Sequence, residues 1–294
     1  MSVGLKTKLE ECDRLLKEVT NWLKKDGGTS HQSGSKGDIV DLGVRIEDFS
    51  KVIPHLIAQL SIRESGRKLL GKISECSFED EKKEIHMIDA ECRIKVAEAR
   101  HVVLSSYLST ACALADRIAL FAANAYCKKS IDQLSKSLNL VGFVSNGNDC
   151  DLSHPIYTLL RGQYGYPIGF LYKLRNRFVH EHCQEFFRIN VPFKIREDSL
   201  QLIESECSTD LKIRFTQCRN ELPPDARRQC DLLRILDWCV GEVDDVSGML
   251  AISTAHALRG LIGSAGGYLE FKSEPMKDLG EESRRGLIGS DPGS

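Results

Sequence analysis

The sequence predicts an all-α bundle, and three observations carry that prediction. With only 8 prolines and abundant Leu, Ala, Lys and Glu, the composition favours helices over a turn-rich β sandwich. Apolar residues recur at spacings of three and four over residues 1–25 and again past residue 39. The most apolar stretch, Val102–Ala123, is interrupted by Ser105, Ser106, Ser109, Thr110, Asp116 and Arg117, which suits a central buried helix better than a bilayer span. At 294 residues the chain can bury a substantial core, as one large domain or two small ones.

Taken in order, residues 1–25 read as one amphipathic helix. Leu5, Leu9, Cys12, Leu16, Val19 and Leu23 alternate at spacings of four and three and form a single seam. The seam suits a dimerisation arm or a helix lying on its own domain. About three heptads are short for an independent coiled coil, which favours the second. Asp26–Asp38 is a polar, Gly/Ser-rich linker, dividing an N-terminal unit (1–38) from a helical domain (39–270). The next helix carries Val44, Ile46, Phe49, Val52, Ile53, Leu56, Ile57 and Leu60, and Pro54 within it predicts a kink or an early boundary.

From about Phe78 to Leu138 the pattern is helical almost throughout. Asp116 and Arg117 lie in its apolar part, so they either find partners or face solvent from a partly exposed edge. Gly142–Ser153 reads as a loop. Gly162, Gly165 and Gly169 then permit a close turn, without the order of a phosphate-binding loop. The following helix begins near Ile168 and ends near Phe187. Ile189–Ile195 looks extended, one strand of an excursion reaching Ile213–Phe215 and closed by Pro223-Pro224. An extended insertion, about 187–224, thus precedes a last helix running from about Asp225 to Ala257 or beyond. Residues 271–294 read as a polar, disordered tail. Within that tail Arg285–Ser290 repeats the Arg-Gly-Leu-Ile-Gly-Ser of Arg259–Ser264, and one short repeat is not a solenoid.

Charge and cysteine usage narrow the class. A net charge of -2 gives no global positive field, so any RNA binding must come from a local patch. The 11 cysteines form no C-x-x-C pair, and Cys112, Cys127 and Cys239 sit in helical apolar patterns. They read as small buried thiols of a reducing compartment. With no apolar run after Lys6 and Lys8, a cytoplasmic protein without a membrane association is expected. His86, His101, His154 and His256 have no metal-ligand spacing, so neither a metal nor a cofactor is expected.

The chemistry concentrates in Leu174–His182, LRNRFVHEH. Histidine moves protons near neutral pH, and arginine offers a permanent cation whose forked donors match phosphate oxygens. Together they meet the needs of a metal-free phosphodiester cleavage. One group takes the proton of a ribose 2′-OH and another stabilises the developing phosphorane. Asn176 and His180 are four apart and share a helix face, so Asn176 can orient the imidazole or hold phosphate. Arg175 and His180 are five apart, roughly 140° around a helix, and do not stack directly. Either Arg175 bends across or a second copy of the helix completes the site, which argues for a composite site in a dimer. The overlapping register Arg177 to His182 puts Phe178 where a polar residue would help, so the first register is preferred. Arg177, His182 and Asp116 remain auxiliary candidates, and Glu181 and Cys183 lie at the periphery.

This segment resembles the R-x4-6-H motif of the HEPN superfamily, in which a polar residue often follows the Arg. The motif covers six residues, and a compatible helical framework covers about 80 to 270. The resemblance implies a HEPN-like bundle, to which this sequence adds an N-terminal helical arm and a small extended insertion before the last helix. It further implies a homodimer with facing motifs, acting as a metal-independent endoribonuclease on single-stranded or loop RNA. The setting it implies is a toxin or antiphage defence effector, with an antitoxin or regulatory partner protein. Arg175, Asn176 and His180 then stand as phosphate stabiliser, polar support and general acid/base. Two departures are visible: His182 occupies the position where many family toxins carry a modifiable Tyr, and the insertion is long. The alternative is a noncatalytic module of the same fold that binds a nucleotide or a protein partner.

Overall fold

Six helices make up nearly all of the described chain: α1 (Val3–Asp26), α2 (Lys36–Ser74), α3 (Val96–Cys127), α4 (Gly165–His180), α5 (Glu197–Asp210) and α6 (Leu232–Gly266). A two-stranded antiparallel hairpin, β1 (Glu84–Met87) and β2 (Cys92–Lys95), precedes α3. The computed structural model describes residues 3–26, 36–76, 84–87, 92–127, 165–180, 193–210 and 231–266. Side chains are described within 4–24, 43–76, 99–122, 167–179, 193–206 and 231–260.

One core joins all six helices. α1 is built into it: Leu5, Leu9, Cys12, Leu16 and Val19 are each at most 1% exposed. The helix runs along α6, where Lys8 meets Asp245 at 3.2 Å and the Cys12 thiol donates to the Ala251 carbonyl at 3.4 Å. Burial pushes the Cys12 thiol up to about 12, so it stays protonated, as expected of a packed thiol.

α2 starts at Lys36, inside the segment expected to be linker, and it passes Pro54 without ending. Proline costs a helix interior about 3 kcal/mol. Phe49, Ile53, Leu56 and Leu60 flank it on one buried face, each contributing about 1.5–3 kcal/mol, so packing outweighs that cost. Phe49 also stacks on Phe121 of α3, with ring centroids 4.6 Å apart.

α2 and α6 are antiparallel and are pinned by two consecutive bidentate pairs. Arg63 donates Nη1 to Asp244 Oδ1 at 2.6 Å and Nη2 to its Oδ2, with both side chains under 10% exposed. One turn on, Arg67 donates Nε and Nη2 to the Asp237 carboxylate, each at 2.5 Å. Buried Tyr107 of α3 stands close to both pairs.

α3 is the central helix, in contact with α2, α4 and α6. Its segment Ala99–Ala122 is long and apolar enough to cross a bilayer, and here its apolar side packs on those helices. The pattern before it is corrected by the structure, because the charged region read as helix contains the β1–β2 hairpin. Ile85 pairs with Ile94 across it, the one β-branched cross-strand pair of the hairpin.

The insertion is corrected as well. Of the extended segment expected over Ile189–Ile195, the described part shows Lys194 bridging to Asp231, and a helix, α5, follows at once. Glu197 and Asp198 place negative charge in the first turn of α5, and Leu200 and Ile203 bury one face. Phe193 holds φ at 55°, which its ring tolerates because it is buried and lies under Arg100 at 5.9 Å. α6 begins where Asp231 caps it, Oδ1 accepting the amides of Leu233 and Arg234.

The expected loop at 142–153, the extended partner at 213–215, Pro223-Pro224 and the tail with its repeated hexapeptide all lie outside the described residues.

Candidate functional site

α4 begins at Gly165, so two of the glycines expected in a turn are helical, and Gly169 is buried. A helical glycine costs about 1 kcal/mol, which the packing of Ile168, Phe170 and Leu171 exceeds. The helix is continuous through the motif to His180. α4 runs antiparallel to α3, with Ser105 donating to the Phe178 carbonyl at 3.2 Å near one end and Tyr172 reaching Asp116 near the other.

Each side chain of the motif takes a distinct place. Phe178 is core, at 1% exposed, so the residue that follows Arg177 in the second register is turned inward. Arg177 is bound to Glu206 of α5 and serves to hold α5 against α4. Asn176 is exposed. His180 is the last residue of α4, and its side chain and all of His182 lie outside the described residues.

Arg175 is half-buried, with its guanidinium carbon 5.6 Å from the centre of the Tyr172 ring. Its Nε is buried and has no hydrogen-bond partner among the described residues. Three other arginines at helix interfaces, Arg63, Arg67 and Arg177, each close on a carboxylate. Arg175 instead rests on an aromatic face, and among the described residues no acid closes on it.

Beneath it, Tyr172 donates its hydroxyl to Asp116 and lies 3.3 Å from the Cys112 carbonyl. Burial pushes the Tyr172 hydroxyl well above its ordinary value; Cys112 and Asp116 add to this and Arg175 opposes it. Burial likewise raises the Cys112 thiol, with Arg175 again pulling back. Both groups are therefore neutral at physiological pH, and Arg175 supplies a permanent charge beside them. Asp116, one of the auxiliary candidates, is thus half-buried with its carboxylate engaged by Tyr172, while Arg117 beside it is exposed. Sequence reasoning passed over Tyr172, although its position three residues before Arg175 on one helix was a signal.

Asp116→Ala should remove the main partner of a buried hydroxyl. We expect a loss of about 1–3 kcal/mol, read as a lower denaturant midpoint with an unchanged slope. Among the described residues no three His, Cys, Asp or Glu side chains converge in a way that could hold a metal ion.

Comparisons with protein-family models, with characterised proteins and with solved structures find no match to this chain.

Proposed function

We propose that this chain is a metal-independent endoribonuclease of the HEPN type, active as a homodimer on single-stranded or loop RNA. The observation that supports this most is Arg175: a half-buried cation on an aromatic platform, without a carboxylate partner among the described residues and with a buried Nε–H to offer. A phosphate oxygen is the kind of acceptor that would satisfy both its charge and its donor.

In the reaction, the ribose 2′-oxygen attacks the adjacent phosphorus as its proton passes to a base, and the bond from phosphorus to the 5′-oxygen breaks. That oxygen leaves with a proton from an acid, so a 2′,3′-cyclic phosphate and a 5′-OH result. His180 fills the acid/base role and Arg175 stabilises the charge on the phosphorane. On a continuous α4 the two positions are roughly 140° apart around the helix axis. A second copy that brings its own α4 opposite would set Arg175 of one chain near His180 of the other, twice in the dimer, and in each pair the imidazole that takes the 2′-proton can return it to the leaving oxygen. Asn176, exposed on the His180 face, supports the imidazole or the phosphate. A toxin or antiphage effector restrained by a partner protein is the setting we propose for such an activity.

End-labelled RNA incubated with the protein in excess EDTA should be cut to fragments with cyclic-phosphate 3′ ends, identified by mass. Linear 3′-OH ends, or cutting that stops on chelation, would contradict this chemistry.

A further inference from the structure

A net charge of -2 leaves RNA nothing to grip except a local patch, and the described chain has a suitable one away from Arg175. A groove of about 540 Å³ lies between α2 and α3. Lys68 and Lys72 stand on its α2 wall, both exposed and neither paired with an acid among the described residues. Ser65 joins them from α2, and Ser106 and Thr110 face them from α3. Arg63 reaches the groove too, but its charge is taken by Asp244. Among the described residues no carboxylate lines the groove. Its remaining surface is apolar, with Ile62 61% and Val102 49% exposed, and among the described residues it offers no exposed aromatic ring on which a base could stack.

We infer that this groove is a phosphate-backbone site for single-stranded RNA, holding the substrate beside the cleavage site; the inference rests on the ribonuclease reading above. Charge complementarity selects the occupant. Two lysines one helical turn apart, their Cβ atoms about 6 Å from each other, face three hydroxyls, with no acid in the lining among the described residues. They suit neighbouring phosphates of one strand, and the apolar wall accepts base or sugar surface without reading sequence. Position supports the same occupant. Ser106 lines the groove while its neighbour Ser105 bonds the Phe178 carbonyl of α4, so one exposed face of α3 separates the groove from the Arg175 helix. A helix is about 10 Å across, a distance that one or two nucleotides span.

The lysines act on binding and not on the bond that breaks, so the test separates the two. Lys68→Gln with Lys72→Gln should raise KM for a single-stranded RNA roughly tenfold with kcat unchanged. The slope of log affinity against log salt should fall by about 1.4, that is about 0.7 for each of two phosphate contacts. Gly66→Phe is a second route to the same loss. Gly66 lines the groove and a Cβ there meets nothing within 4 Å, so a ring at this position is expected to fill groove space. Lys51→Gln with Lys6→Gln removes the same charge from exposed positions that do not line the groove, and should leave KM and slope at wild type.

Fluorescence anisotropy with a labelled 2′-deoxy oligonucleotide, which cannot undergo 2′-OH attack, reads the groove independently of cleavage. If the wild type binds it and both groove variants lose that binding, the site stands even where RNA is not cut, and only the ribonuclease reading falls. If the wild type cuts RNA and the groove variants keep its KM and salt slope, the site is overturned and the ribonuclease reading survives. A wild type that binds no oligonucleotide overturns the site, as does loss of a glutamate-rich peptide with oligonucleotide binding intact.

Discussion

Arg175→Ala and His180→Ala are each expected to lower RNA cleavage by about a hundredfold to ten-thousandfold while the helical content and the dimer persist. The size follows from the roles. A positioned proton-transfer group contributes about 10²–10⁴, and one charged donor aimed at a developing oxyanion about 10²–10³. Arg175 can be removed without collapse because its guanidinium holds no ion pair in the described structure; it rests on Tyr172, whose hydroxyl remains tied to Asp116. A cation–π contact of this kind is worth about 0.5–2 kcal/mol, and the buried Nε–H disappears with the side chain. The informative readout is therefore kcat/KM beside a thermal melt. A large fall in rate with a small fall in Tm points to the reaction, whereas equal losses in both would mean that Arg175 only packs.

Asp244→Ala should cost a large part of the stability, a loss of about 3–5 kcal/mol. Arg63 would then be left buried, at 3% exposed, with its charge uncompensated. Burial pushes the Asp244 carboxyl above its ordinary range even though two hydrogen bonds from Arg63 pull it down. Desolvation is thus the stronger influence on that carboxylate, and the pair does more to set how α2 and α6 align than to stabilise them. Replacing both partners at once, Arg63→Met with Asp244→Leu, should accordingly recover most of the loss. Chemical denaturation of the single and double variants checks this: a double variant as unstable as Asp244→Ala would contradict it. The exposed pair one turn away, Arg67–Asp237, should matter far less, at about 1 kcal/mol or below, since water screens it.

What could be read from the sequence divides along physical lines. The seam of α1 and the apolar faces of α2, α3 and α6 were legible because burial imposes the helical period over many turns. The β1–β2 hairpin was not, since four-residue strands with a single Ile85–Ile94 pair leave too little alternation to detect. α5 escaped for a similar reason: it is short and polar, with Leu200 and Ile203 as the buried anchors described. The motif itself marked Arg175, Asn176 and His180, because reactive residue types stand out locally. The Arg63–Asp244 and Arg177–Glu206 pairs were invisible, because 181 and 29 residues separate their members. Tyr172 was hidden differently, reading as one more aromatic in an apolar run, and only its hydroxyl's reach to Asp116 shows it as the platform for Arg175.

The central claim is that Arg175 and His180 cut RNA together from two subunits, and mixing tests it most directly. Arg175→Ala and His180→Ala proteins, each inactive alone, are unfolded together, refolded and assayed on the same RNA. Half of the randomly paired dimers would be mixed, and each mixed dimer would hold one intact site out of two, so the mixture should regain roughly a quarter of wild-type activity. A mixture as silent as its components, single variants that cut like the wild type, or a wild type that leaves the RNA whole would contradict the account.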